Sequence, residues 1–101
     1  MRVISVKHIR DFYARRPDAA PAFKAWAKDA RRASWKSPQD IKQRYASASF
    51  LQGNRVVFNL KGNDYRLVVA VAYRFEAVYI KFIGTHSEYD AIDAATVEMN
   101  P

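Results

Sequence analysis

The sequence predicts a single α+β domain over residues 1–101, with N-terminal helices packed on one face of a small, mainly antiparallel, twisted sheet and a short C-terminal helix. Three observations predict it. The length of 101 residues suits one core. Apolar residues recur at helical spacing before Pro38 and in alternation after Arg55. Half the residues are hydrophobic and 14% aromatic, a composition of folded rather than disordered chains.

Each element follows in order. Arg2–Ile4 opens as a short strand. Ser5 is placed to cap a helix from Val6 to about Arg16, whose Ile9, Phe12 and Tyr13 share the core-facing side. Pro17 ends it, because the residue before proline is driven from the α region. A second helix starts near Asp18 with Pro21 in its first turn, where a missing N–H costs nothing. Phe23, Trp26, Ala27 and Ala30 form its apolar stripe, and Lys24, Lys28, Arg31 and Arg32 share another face. Gln39–Tyr45 is a short helical turn, and 46–52 is a loop leading into a strand around Ala48–Phe50.

Arg55–Lys61 then alternates, with Val56, Phe58 and Leu60 on one side and Val57, Asn59 and Lys61 on the other. Lys61-Gly62-Asn63-Asp64 is a turn, since Gly and Asn tolerate positive φ. Tyr65–Tyr73 is β-branched and predicts a central strand. Arg74-Phe75-Glu76 reverses the chain into a last strand, Ala77–Gly84. A helix from Ser87 to about Ala95 follows, capped by Thr85 or Ser87. The order β-α-α-(α)-β-β-β-α places helices on one face and leaves the other partly open to solvent.

Charge supplies the first functional clue. Lys and Arg number 17 against 10 Asp and Glu, a net of +7. Residues 1–66 carry +10 and residues 67–101 carry −3. A pI of about 9.9 with this asymmetry points to an anionic partner, nucleic acid above all. A plain basic protein with solvated helix charges is the bland alternative. Cysteine is absent, which excludes disulfides and thiolate chemistry, and two histidines, His8 and His86, do not make a multi-histidine metal site. No metal or cofactor is expected. The N-terminus has charges every few residues and no apolar h-region, and no stretch reaches ~20 apolar residues. No membrane association is expected, and the chain is placed in the cytoplasm.

The predicted open face carries polar side chains that a plain core sheet does not need: Asn59, Lys61, Arg66 and Lys81, with His86, Tyr89 and Asp90 just past the last strand. Cutting RNA without a metal requires a group to take the 2′-OH proton, a group to protonate the leaving 5′-oxygen, and cations for the charge that develops on phosphorus. Histidine suits proton transfer near neutral pH. Arginine binds phosphate through two parallel bonds, and lysine acts as a point charge. Tyrosine and asparagine can position a nucleotide. Each residue also has an ordinary reading: a hydrogen-bonded loop histidine, a packing tyrosine, a surface ion pair between Arg66 and Asp64 or Asp90, a turn lysine at 61.

Two segments sharpen the choice. V-F-N-L-K-G-N-D-Y-R-L-V (Val57–Val68) and F-I-G-T-H-S-E-Y-D (Phe82–Asp90) resemble the HigB-like toxins of the RelE superfamily of bacterial mRNA interferases. In outline the resemblance extends over nearly the whole chain, including the K-x-P-x-x-(I/L)-K segment Lys36–Lys42. It implies a RelE-like, microbial-ribonuclease fold and a toxin of a type II toxin–antitoxin system. Such toxins enter the ribosomal A site and cleave translated mRNA. It implies a cognate helix-turn-helix antitoxin, and contact with operator DNA only through the toxin–antitoxin complex. By the resemblance, Arg66 contacts the scissile phosphate, and His86 and Tyr89 serve proton transfer and positioning. Asn59 and Asn63 match the turn motif, and Asp90 orients His86 or Arg66. Lys61 and Lys81 are further substrate contacts, and the stripe Lys24, Lys28, Arg31 and Arg32 is a surface for rRNA or antitoxin. The competing functions are a non-catalytic RNA- or ribosome-binding module and an inactive repressor partner.

Overall fold

A computed structural model describes residues 1–99. The chain runs β1 (Arg2–Ile4), α1 (Val6–Arg15), a 3₁₀ turn at Pro17–Ala19, α2 (Ala20–Arg32), α3 (Pro38–Arg44), β2 (Ser49–Leu51), β3 (Arg55–Leu60), β4 (Tyr65–Ala72), a 3₁₀ turn at Tyr73–Phe75, β5 (Ala77–Thr85) and α4 (His86–Asp90). The five strands form one sheet in the order β1-β5-β4-β3-β2. Only β1 and β5 pair in parallel; the other neighbours are antiparallel.

Alternation decides the layering. Val56, Phe58 and Leu60 of β3, Tyr65, Leu67, Val69 and Val71 of β4, and Val78 and Ile80 of β5 join one core with Ile9, Phe12, Phe23, Trp26, Ala30, Trp35 and Ile41 from the helical half. Aromatic contacts tie the layers: Phe12 meets Tyr65 edge-on at 5.6 Å, and Trp26 meets Phe58 at 5.4 Å. The predicted fold class and the one-sided helix layer are therefore present.

Several expectations need correction, each for a local reason. Ser5 stands at the N-cap of α1 without a side-chain bond to it. Its φ of 71° is left-handed, whereas a capping side chain works from extended backbone. The strand expected around Ala48–Phe50 is present one residue later, as the edge strand Ser49–Leu51, closed onto β3 by a turn in which Gly53 and Asn54 both take positive φ. In the next turn positive φ falls on Lys61 and Gly62, not on Asn63. The last helix spans His86–Asp90, earlier and shorter than Ser87–Ala95. Thr85 fixes its start, and the Asp93 carboxylate, accepting from the Ala95 N–H at 3.0 Å, holds the following residues in a local turn.

The sheet face away from the helices is less open than the sequence predicts. Arg55, Val57, Arg66 and Val68 lie on it and are all buried. The C-terminal segment docks there: the Arg55 guanidinium donates to the carbonyls of Ala94 (3.1 Å) and Val97 (2.7 Å) and to the Glu98 carboxylate. No helix among the described residues is long and apolar enough to cross a membrane.

Candidate functional site

In an antiparallel pair, residues directly opposite share a face. Asn59 stands opposite Arg66, and Arg66 opposite Gly84, so one rung crosses three strands on the face away from the helices. His86 lies two residues beyond this rung, on α4.

α4 is held by a capping box. Thr85 Oγ1 accepts from the Glu88 N–H at 3.1 Å, and Glu88 Oε1 accepts from the Thr85 N–H at 2.7 Å. The His86 N–H donates to the Asp64 carbonyl at 3.0 Å, tying the helix to the β3–β4 turn. Residues three and four apart share a helix face, which groups His86 with Tyr89 and Asp90. His86 Nδ1 is 3.1 Å from Asp90 Oδ2. With Nδ1 carrying the proton to Asp90, Nε2 presents a lone pair for proton transfer. The imidazole is 44% exposed, so a substrate can reach it.

Arg66 is only 7% exposed. Its guanidinium donates to the Asn63 carbonyl (3.1 Å), the Asn63 side-chain oxygen (2.7 Å) and the Tyr65 carbonyl (3.2 Å). It also stands 5.8 Å from the centroid of the Tyr89 ring. No carboxylate pairs with it among the described residues, so the ordinary ion pair with Asp64 or Asp90 is not formed: Asp90 goes to His86. The arginine is thus oriented by neutral acceptors and an aromatic ring, which leaves its charge unneutralised for an anion.

The remaining predicted residues divide. Asn59 joins the rung. Asn63 belongs to the site as the residue that holds Arg66. Lys61 does not join them: its positive φ ends the strand alternation, and Nζ donates to Asp18 at 3.0 Å, on the helical side. Asp18 also accepts from the Tyr65 hydroxyl at 2.5 Å. The Tyr65 bond first, and Lys61 second, hold the Asp18 carboxyl below the usual range; the same carboxylate raises Lys61 and Tyr65. Lys81 is the extra residue of a β-bulge, since Val68 pairs with Phe82 while Val69 pairs with Ile80. Its Nζ donates to Glu98 at 2.7 Å. Lys24, Lys28, Arg31 and Arg32 are exposed on α2, in the layer on the other side of the sheet from Arg66. Lys24 lies 5.3 Å from the Tyr13 ring centroid.

Three positioning residues escaped the sequence reading. Glu88 completes the capping box, and the T-x-x-E spacing of Thr85–Glu88 is a signal that could have found it. Phe82 packs beside Tyr89, centroids 6.4 Å apart. Gly84 makes room for that ring: a Cβ there would sit 2.6 Å from Phe82 Cζ. Nothing local marks Gly84, because its neighbours come from register and from α4.

Fold and site together define a small α+β domain that presents an oriented arginine, a histidine–carboxylate pair and an aromatic ring at one end of a sheet face, a set suited to chemistry on phosphate esters. The family described as HigB_toxin, RelE-like toxic component of a toxin-antitoxin system, matches residues 19–92, which include the whole of this site. The chain belongs to that family, and the partner of such a toxic component is an antitoxin. It is 27% identical over 96 residues to the mRNA interferase toxin HigB of Escherichia coli (strain K12), covering 93% of this chain and 92% of the relative. The proteins named mRNA interferase HigB from Escherichia coli O157:H7 and Shigella flexneri match with the same identity and coverage.

Proposed function

We propose that this chain is an endoribonuclease, an mRNA interferase that cleaves translated mRNA in the ribosomal A site and so arrests translation and growth. The observation that carries it is the grouping of Arg66, Tyr89, His86 and Asp90 at one end of the sheet face.

The chemistry is a transfer within the RNA. The 2′-oxygen attacks the adjacent phosphorus, the bond from phosphorus to the 5′-oxygen breaks, and a 2′,3′-cyclic phosphate and a 5′-hydroxyl remain. Side chains alone serve it, without a metal. His86 Nε2 exchanges the protons, oriented by Asp90 through Nδ1. Arg66 stabilises the charge that builds on the phosphoryl oxygens. Tyr89 sets the arginine and offers a ring to the neighbouring nucleotide, and Asn59 contacts the substrate from the same rung. One histidine with its carboxylate partner is a sparse set of proton-transfer groups, which supports dependence on the ribosome to align the 2′-oxygen in line. The exposed stripe Lys24, Lys28, Arg31 and Arg32 takes rRNA or the antitoxin, since it leaves the cutting face free. The cognate antitoxin carries a helix-turn-helix domain, operator DNA is met only through the complex, and the toxin acts in the cytoplasm.

The test is to add purified protein to a translation reaction and map mRNA 5′ ends, with and without ribosomes. New ends in the wild type, lost in Arg66→Ala and His86→Gln, are expected. Wild-type cleavage by either variant sinks the assignment. Ribosome binding without new ends would make the protein a non-catalytic binding module.

A further inference from the structure

The sheet face also holds a cationic pair, Arg55 and Lys81, away from the rung of Arg66. Arg55 stands opposite Ala70, four residues along β4 from Arg66, about 13 Å at ~3.3 Å per residue. It is 8% exposed, a charge taken out of water and so in need of anionic or carbonyl partners. Its Nη1 is spent on the two tail carbonyls, whereas Nη2 reaches only the Glu98 carboxylate, at 2.6 Å. Lys81 approaches the other oxygen of that carboxylate, at 2.7 Å. The bulge at Lys81 is what brings its ammonium there. Glu98 itself is 60% exposed.

Two cations therefore close on one exposed carboxylate, one oxygen each. A carboxylate held this way has the shape of two non-bridging phosphate oxygens. Rotation of the Glu98 side chain into solvent frees the pair without lifting the tail, because the Arg55 Nη1 bonds go to backbone. We propose that Arg55 and Lys81 form a second phosphate subsite for single-stranded RNA on this face, and that Glu98 occupies it in the free protein. The inference rests on the nuclease reading for its ligand, since the pair lies on the same sheet face as Arg66. Tyr79, opposite Ala70 on the same rung as Arg55 and 40% exposed, offers a ring to the adjoining base.

The experiment measures binding of a short single-stranded oligonucleotide with 2′-O-methyl groups, which removes the attacking hydroxyl and separates binding from cutting. Glu98→Gln in the full chain is expected to bind about two- to fivefold more tightly, because the competing carboxylate is itself 60% exposed and its attraction is screened by solvent. Its slope of log affinity against log salt should steepen by about 0.7 for one added phosphate contact. Lys81→Met should cancel both gains in the Glu98→Gln chain and change little in the wild type, where Glu98 already neutralises it. Glu76→Gln, on the turn before β5, makes the same change in net charge. An equal gain there overturns the subsite, as does an unchanged or weaker affinity in Glu98→Gln. A gain seen with the antitoxin and not with the oligonucleotide overturns RNA as the occupant. Wild-type mRNA cleavage with no Glu98→Gln effect sinks the subsite alone, whereas the Glu98→Gln gain without mRNA cleavage sinks the nuclease reading alone.

Discussion

Thr85→Val is a nearly isosteric change that removes one function. Valine keeps the β-branched shape that suits the ladder pair with Tyr65, but it has no oxygen to accept from the Glu88 N–H. Losing a threonine cap costs about 1 kcal/mol. Against a whole-domain stability of about 5–15 kcal/mol this is minor, and it lowers the melting temperature by at most about 4–8 °C. The local effect is larger in proportion. α4 has five residues, too few to persist as an isolated helix, and its anchors include the cap, the bond from His86 to the Asp64 carbonyl and the contacts of Tyr89 with Phe82 and Arg66. A loss of about 1 kcal/mol there shifts the balance between ordered and open helix about fivefold, which takes a helix ordered half the time to about a sixth. Cleavage of translated mRNA in a cell-free reaction is therefore expected to fall about threefold, while thermal unfolding shifts by a few degrees. Thr85→Ser, which retains the acceptor, should restore activity. Full activity in Thr85→Val, or equal loss in Thr85→Ser, would refute the claim that the capping box holds the histidine.

Arg66→Lys keeps the charge but cannot span Asn63 and Tyr65 with a planar fork, so cleavage should fall about 10²- to 10³-fold with ribosome association largely retained; cell-free cleavage and cosedimentation separate the two. Gly84→Ala drives a methyl against the end of the Phe82 ring. The contact is with the far end of a partly buried ring, so the cost belongs at the low end of overpacking, about 1 kcal/mol, but activity should also drop as Tyr89 loses its support; differential scanning calorimetry beside cleavage reads both. Because the folded Asp18 carboxyl lies below its ordinary value of 3.8, it stabilises the fold above that pH, and the contribution is lost as pH falls through the lowered value. Urea unfolding below pH 4 should be less pH-dependent in Asp18→Asn than in the wild type; identical profiles would contradict the Tyr65–Asp18–Lys61 cluster.

The elements were legible because their signals are local. Ile9 and Phe12 lie one helical turn apart, and Val56, Phe58 and Leu60 alternate, so adjacent residues alone report which face is buried. The T-H-S-E-Y-D segment is legible for the same reason: Thr85, His86, Glu88, Tyr89 and Asp90 are neighbours within one short helix, and their mutual geometry is set within six residues. Lys61 shows where local reading fails. Alternation extends Val57 and Asn59 to Lys61, yet a left-handed φ at that residue turns its side chain to Asp18, 43 residues earlier.

By itself, then, the sequence determined the α+β class, the helix-bearing side of the sheet and the grouping of His86, Tyr89 and Asp90 just past the last strand. Only the tertiary structure decided that Arg66 is oriented by Asn63 and Tyr89, that Gly84 yields space to Phe82, and that Glu98 lies between Arg55 and Lys81. Those contacts depend on strand register, a bulge and the path of the C-terminal segment. They are settled by packing between distant residues, which no local periodicity records.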